Sequence, residues 1–558
     1  MDLTDLIREL ALRNAAKFGK ANANAVLGSV LKARPEQKQH INLIKQHVQG
    51  IVNEINTLDS KTLQQAIAAL PEKEKETPKE KTLKDLPNVS NSVIMRFAPS
   101  PSGPLHIAHA YGLSLNYHYA KRYHGTFLFR IEDTNPENIY APAYDMMVED
   151  AQWLTNNGID HVIIQSDRLG RYYDIAEQLV DKEKAYVCTC NSDEFRTLLF
   201  KKTACPCRTA GVKEHLKRYA AMFSSYKPGE AVLRSKTDIT HKNPAMRDFP
   251  LMRINEHPHP RTGTEHRVWP LMNLAVFVDD MDYHVTHIIR AKEHRDNAAR
   301  QEFLYNAFDH PVPVTLFVGR INFTDMKVSC SATKAAIEEG KYTGWEDIRL
   351  PFLRPLRRRG YQQEAFMKYA IEIGISQADK TVKKEEYFKT LNAFNKDIID
   401  AHANRYFFLH DPVPVHITDV EQKTITIALH PDVKDRGLRT FKINGHFLLE
   451  RKDVEQLPDG LHRLMDCLNF IKKGQQFTFH SFAYDVFKQE GQHILHWLPA
   501  QDTQQVIVHQ PDGKQLQGVG ETTLQEVEIG SLIQFERFGF ARLDAHTRQA
   551  LEFWYAHR

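Results

Sequence analysis

The sequence predicts a multidomain protein in which an α/β domain precedes an all-β region. Three observations carry that reading. A chain of 558 residues exceeds the roughly 250 to 300 at which a single hydrophobic core stops growing. Two apolar, strand-like runs, at Thr126 and at Thr286, each end in a cluster of charges, as strands of an open parallel sheet do at a ligand site. From about residue 410 the apolar period becomes two: Val413, Val415 and Ile417, then Ile425 and Ile427, then Phe477 and Phe479.

Composition narrows the class. With 42% hydrophobic and 26% charged residues and a net charge of +3, any basic surface must be local. The sequence holds no run of about 18 apolar residues to span a membrane. Asp2, Asp5 and Glu9 stand where a signal peptide would be basic and then apolar, so a cytoplasmic protein without a membrane partner is expected. Six cysteines are too few and too clustered for a disulfide framework.

Residues 1 to about 70 read as a helical unit. Leu6, Ile7, Leu10 and Ala11 recur at helical spacing, Gly19 stops the first helix, and Ile41, Ile44, Val48, Ile51, Val52 and Ile55 continue the pattern. From Pro71 to Pro87 the chain is mostly Lys and Glu with little to bury, which predicts a solvated linker. Next comes Arg96-Phe-Ala-Pro-Ser-Pro-Ser-Gly-Pro-Leu-His-Ile-Ala-His109. Its prolines and Gly103 forbid a helix at first, and Leu105 then opens an apolar-periodic one, so the segment reads as strand, tight turn and helix N-terminus. Free N–H groups and the positive end of the helix dipole face such a turn, a geometry suited to phosphate. His106 and His109 share one face of its first helical turn.

Thr126-Phe-Leu-Phe-Arg-Ile-Glu132-Asp-Thr134 reads as a buried parallel strand whose terminal charges face a site, and Thr286-His-Ile-Ile-Arg290-Ala-Lys-Glu-His294 repeats the transition. Cys188-Thr-Cys190 and Cys205-Pro-Cys207 are two C-x-C pairs separated by 14 residues. Four thiolates so paired suit a tetrahedral, structural zinc. Near the C-terminus Pro511-Asp-Gly-Lys514 marks a turn, and the aromatic register shifts between Phe535 and Phe538, which predicts a bulge near Gly539.

His106-Ile-Ala-His109 resembles the HIGH signature of class I aminoacyl-tRNA synthetases, and Ala98-Pro-Ser-Pro-Ser-Gly-Pro-Leu105 resembles its glutamyl-tRNA synthetase version. Arg130–Thr134 is similar to the RIEDT motif of that family, and Lys327-Val-Ser-Cys-Ser331 occupies the place of the KMSKS loop. The N-terminal extension, Asn243-Pro-Ala-Met-Arg-Asp248, the segment Gly344–Gly360 and the β-rich C-terminus resemble the archaeal-type glutamyl enzymes. This resemblance implies a Rossmann-type catalytic domain and a definite organisation. A helical unit over 1–70 and a charged linker over 71–92 lead to the first Rossmann half, 93–185. An inserted zinc and acceptor-stem region, 186–265, separates it from the second half with the KMSKS-like loop, 266–335. A helical stem-contact region, 336–408, and two anticodon-binding β-barrels, 409–558, complete the chain.

The implied reaction is glutamate plus ATP giving glutamyl adenylate and pyrophosphate, with Mg2+ bridging phosphates, then transfer of glutamate to the 3′-terminal adenosine of tRNA(Glu). Whether tRNA(Gln) is charged too is left open. By resemblance Arg96, Ala98, Ser100, Glu132 and Arg290 hold glutamate, with Glu132 on its ammonium and Arg96 on its side-chain carboxylate. A guanidinium fork pairs with a carboxylate and rejects a neutral amide, which would leave its charge unpaired. Gly103, His106, His109, His294, Lys327 and Ser329 hold ATP; of these, His106, His109 and Lys327 carry the catalysis.

The chain departs from the family in places. Cys330 replaces the second KMSKS lysine, Ala108 and Ala291 replace glycines, and Met272 replaces an aromatic residue. Lys334, one helical turn after Cys330, is the expected substitute for the missing charge. Arg354, Arg357, Arg358 and Arg359 are expected to hold tRNA phosphates or to form a solvated helix face. Two alternatives stand beside this reading. A glutaminyl-tRNA synthetase favours P-P-E-P-N-G and D-D-T where this chain has Ala98-Pro-Ser-Pro-Ser-Gly103 and Glu132-Asp-Thr134. A silent tRNA-binding paralogue would explain Cys330, Ala108 and Met272, but not the retained Arg96, Glu132, His106, His109 and Lys327.

Overall fold

The computed structural model describes residues 2–70, 81–90 and 92–558, so residues 71–80 of the linker expected over 71–92 lie outside the described residues. The described part is not a solvated linker, because Leu83 and Leu86 find apolar partners in the core beside Val93 and Met95 and are buried there. The chain divides into two compact units, Met1–Lys81 and Thr82–Arg558. Helices Leu3–Phe18, Ala23–Ala33, Ile41–Thr57 and Ser60–Ala68 make the first. Gly19 ends the first helix at a φ of 80° and donates to Ala15 O, a left-handed cap that costs glycine no Cβ clash. Ile7, Ala11, Val30, Val48 and Ile55 form the core. Ile41, expected in the apolar stripe, is 44% exposed, and the buried stripe begins at Ile44. Ile41 opens its helix, and its side chain points back past the N-terminus, away from the packed face.

In the second unit, five parallel strands form a sheet in the order His161–Ile164, Thr126–Ile131, Ile94–Phe97, His287–Ala291, Val314–Val318. The chain builds outward from Ile94–Phe97 in both directions, and ligands of such sheets sit beyond the carboxyl ends at that reversal. The helix Ile107–Arg122 returns over the sheet and is pinned by buried Asn116, which accepts from Ile289 N at 3.2 Å and donates to Ile289 O at 3.1 Å. Between the third strand in sequence and the fourth, the chain builds a separate antiparallel sheet of Ala185–Cys188, Val232–Ser235, Pro250–Ile254 and Val268–Pro270.

Helices Leu353–Arg358, Gln363–Ile373 and Lys384–Ile399 precede the β-rich C-terminus. One seven-stranded, barrel-like sheet draws strands from 404–410 and 503–557, and a second from 412–499, so the second is nested within the first along the chain. The turn at Pro511–Lys514 closes the hairpin of Thr503–His509 and Gln515–Glu521. The aromatic shift near Phe535 has another cause than a bulge within one strand. Leu532–Phe535 and Gly539–His546 are two strands, and the chain reverses between them with Arg537 at a φ of 58°. A register shift does follow, between Phe540 and Ala541 against the last strand.

The basic helix end is drawn partly into the fold. Arg359 is buried and donates to Tyr555 O at 2.9 Å and Ala556 O at 2.6 Å. Arg358 pairs with Asp544 at 2.6 Å and Glu346 at 3.1 Å, and Arg354 with Glu149 at 2.7 Å. These guanidiniums fasten the helix to its neighbours, and only Arg357 of the four is exposed.

Candidate active site

The carboxyl ends of the first two strands deliver charges into the crevice. Arg96, buried at the end of Ile94–Phe97, donates from Nε and Nη2 to the two oxygens of Asp280, both at 3.3 Å. Arg130 donates to Asp280 at 2.5 Å and to Glu132 at 3.0 Å. The result is a chain, Arg96–Asp280–Arg130–Glu132, and not an Arg96–Glu132 pair. Asp280 and its neighbour Asp279 end an apolar helix, Met272–Asp282. Asp279 accepts from Gln165 at 2.8 Å, Arg168 at 2.8 Å and the Tyr172 hydroxyl at 2.7 Å. Burial alone would push the Asp280 carboxyl up, but Arg130 and Arg96 outweigh it and hold the group below its ordinary value. Burial opposes the charge of Arg130, yet Asp280, Glu132 and Asp279 keep it firmly protonated.

Sequence reasoning missed Arg130, Asp279 and Asp280. The signal was present: a lone charge inside Phe127-Leu-Phe-Arg-Ile131 and two adjacent carboxylates closing Leu274-Ala-Val-Phe-Val278 must find partners, because an unpaired buried charge is too costly. Asp133 also went unnoticed. It is buried and accepts from Tyr144 Oη at 2.6 Å and Ser166 N at 2.8 Å, which fixes the backbone beside Glu132.

The proline turn is tied on both sides. Glu132 N donates to Pro99 O at 2.9 Å, Tyr140 N to Pro101 O at 2.9 Å, and Leu105 N to buried Asp150 at 2.9 Å. Ala98 and Ser100 lie on this turn, half-buried and exposed respectively. His106 is the N-cap of the helix, and its Nδ1 accepts from His109 N at 3.3 Å, so its proton sits on Nε2. The two rings stack with centroids 3.6 Å apart. Desolvation, and for His106 the proximity of His109, pushes both imidazoles down, His109 to about 4. At neutral pH both rings are therefore uncharged.

Cys330 lies against this turn. It opens the helix Cys330–Glu338, is buried, and its thiol donates to Pro104 O at 3.6 Å. A Cβ on Gly103 would lie 3.0 Å from Cys330 Cβ and 2.9 Å from the Trp345 ring, so this glycine is required by close packing. Position 330 therefore points into an apolar cluster with Trp345, Leu350 and Phe352. Ser329 caps the helix, accepting from Ala332 N at 3.4 Å. Lys327 is exposed on the loop before it. Lys334 stands over the Tyr140 ring at 5.2 Å and pairs with Glu338 at 3.7 Å.

On the fourth strand, Arg290 donates to the neutral Gln301 at 3.0 Å, and its buried Nε has no hydrogen-bond partner. Burial, then the neighbouring Arg96, lowers this guanidinium to about 10. His294 approaches Asn297 at 3.1 Å, and burial followed by Arg290 lowers it too. Met272 is 37% exposed, with its sulfur 3.5 Å from Asn297 Nδ2.

Apart from this crevice, Cys188, Cys190, Cys205 and Cys207 bring their sulfurs within 4.8 Å of one another, with Cys188–Cys205 at 3.9 Å and Cys190–Cys207 at 3.6 Å. None of the four forms a disulfide. Sulfurs bound tetrahedrally at about 2.3 Å from a metal lie about 3.8 Å apart, so the four could hold a metal ion with little adjustment.

Residues 92–401 match the family described as tRNA synthetases class I (E and Q), catalytic domain, and residues 403–480 and 494–544 match two anti-codon binding domains of the same class. The chain belongs to the class I tRNA synthetases for E and Q. More particularly, curated relatives from Methanothermobacter marburgensis and Pyrococcus furiosus, each 40% identical with 100% of both chains covered, bear the name glutamate–tRNA ligase. The relative from Methanocaldococcus jannaschii, 38% identical over the same share, bears it as well. A crystal structure of a glutamate tRNA ligase from Elizabethkingia meningosepticum in complex with its amino acid aligns at a TM-score of 0.41 and 18% identity over 56% of this chain and 71% of that one. Among the described residues no helix is long and apolar enough to cross a membrane.

Proposed function

We propose that the chain is a glutamate–tRNA ligase, which activates L-glutamate with ATP and transfers it to the 3′-terminal adenosine of tRNA(Glu). The observation that carries the amino-acid assignment is the imbalance at Arg290. Asp280 and Glu132 already compensate Arg96 and Arg130, whereas Arg290 has only a neutral amide partner and an orphaned Nε. A side-chain carboxylate completes that site, and a carboxamide leaves it charged. The role expected of Arg96 thus passes to Arg290, because Arg96 is already paired with both oxygens of Asp280. Glu132, at the mouth, receives the ammonium; Ala98 and Ser100 line the approach.

The glutamate α-carboxylate attacks the α-phosphorus, the new O–P bond forms, and the bond to pyrophosphate breaks. A ribose hydroxyl of the tRNA then attacks the glutamyl carbonyl carbon and AMP leaves. Positioning and charge stabilisation suffice for both steps. His106 and His109 donate N–H groups to phosphate, Gly103 and Ser329 border the nucleotide, His294 flanks it, and Lys327 meets the charge growing on pyrophosphate. Mg2+, used with ATP by the class, supplies further positive charge to the phosphates.

Glutamate-dependent ATP–pyrophosphate exchange, with and without tRNA and with glutamine as competitor, tests this reading. Exchange specific to glutamate is expected. Exchange with glutamine instead, or tRNA binding without any exchange, overturns it. The cysteine spacing supports a structural zinc, and one equivalent per chain is expected by atomic absorption. Removing it with a chelator should lower the unfolding midpoint, since structural zinc contributes on the order of 10 kcal/mol to folding. A metal-free chain with the same midpoint would remove zinc from the account.

A further inference from the structure

We propose that Phe200, at the tip of the four-cysteine module, is the platform on which an unpaired nucleotide of the tRNA 3′ end stacks. Phe200 is 83% exposed, more than any other large apolar side chain among the described residues. It closes the helix Ser192–Phe200, whose other aromatic, Phe195, is buried under the Arg234 guanidinium at 3.5 Å. Five residues of helix turn Phe200 well away from Phe195, so one ring anchors the helix and the other stands clear of it.

The tip is held rigidly. Arg247, itself buried, donates to Leu199 O at 2.9 Å, to His241 O at 2.7 Å and to Lys242 O at 3.2 Å. Lys202 turns the chain at a φ of 57°, and Thr203 N donates to Leu198 O at 2.9 Å. An apolar ring presented to water on a braced tip calls for a partner with a flat face.

Charge indicates which partner. Lys201, Lys202 and Lys242 are exposed around the tip, whereas the helix's acidic residues, Asp193 and Glu194, lie at its opposite end. An exposed aromatic ring among lysines is the arrangement that takes single-stranded nucleic acid, the ring stacking a base and the ammonium groups meeting phosphates. Position supports the same occupant. Asn243, beside Lys242, donates to Asp296 at 2.9 Å, and Arg300 donates to Ala245 O at 2.7 Å. Both reach the helix Arg295–Ala307, which begins directly after Arg290 and His294 at the edge of the crevice. The tip is thus braced against the rim of the site that a 3′ end must enter.

This inference rests on the tRNA-charging function proposed above. The test compares Phe200→Ala, Phe200→Trp and the unaltered full chain, binding intact tRNA(Glu) and the same tRNA trimmed of its unpaired 3′ nucleotides. Phe200→Ala is expected to weaken binding of intact tRNA by about fivefold or more, to leave the trimmed tRNA unaffected, and to raise the KM for tRNA without changing kcat; Phe200→Trp restores binding. Equal weakening for both tRNAs, or none for either, overturns the inference while leaving the function intact. An unaltered chain that charges no tRNA with glutamate overturns the function itself.

Discussion

Asp280→Asn is expected to lower the stability of the second unit by roughly 3 to 5 kcal/mol, the cost of removing one partner from a buried ion pair. The substitution keeps the shape, so the loss reflects charge and not a cavity. Arg96 and Arg130 would then face each other across a neutral amide, both buried, with Arg130 leaning only on Glu132 and on Asp279 at 3.6 Å. Urea unfolding measures it through the shift in midpoint. Asp282→Asn serves as comparison, because that carboxylate is 21% exposed and already shares two guanidiniums; solvent screening limits its effect to about 1 kcal/mol. A midpoint for Asp280→Asn no lower than that for Asp282→Asn would mean that the arginine chain does not hold the sheet edge together.

Lys327→Ala is expected to slow glutamate-dependent pyrophosphate exchange by about a hundred- to a thousandfold, the usual effect of losing one preorganised contact to transition-state charge, roughly 2.7 to 4 kcal/mol. Its unfolding midpoint should not move, since the side chain is exposed. Lys334→Ala, measured beside it, asks whether the lysine missing at Cys330 has a substitute. A comparable loss makes Lys334 that substitute. An unchanged rate leaves it as the partner of Glu338 at 3.7 Å and of the Tyr140 ring, and Lys327 then acts alone. Unchanged exchange in Lys327→Ala would remove the loop from the reaction altogether.

Cys330 shows how residues and fold divide the information. In the sequence it is a gap in a charged loop. In the structure its thiol lies on Pro104 O, and its Cβ would lie only 3.0 Å from one added to Gly103, an approach between residues more than two hundred positions apart. No local pattern carries that contact. The basic run at Arg354–Arg359 behaved similarly: composition makes it a candidate phosphate surface, and packing turns Arg358 and Arg359 inward to the last strands.

By itself the sequence determined the strand, proline turn and helix at 96–122, the paired cysteines, the helical first unit and the β-rich C-terminus. Each is written in consecutive residues whose backbone preferences and apolar periods act over one or two turns. Only the tertiary structure decided which buried charges compensate one another. Arg96 and Arg130 meet Asp280 across 184 and 150 residues, and that pairing leaves Arg290 with a neutral partner. A charge placed in an apolar run announces that a partner must exist; which distant residue supplies it depends on how the strands and helices pack.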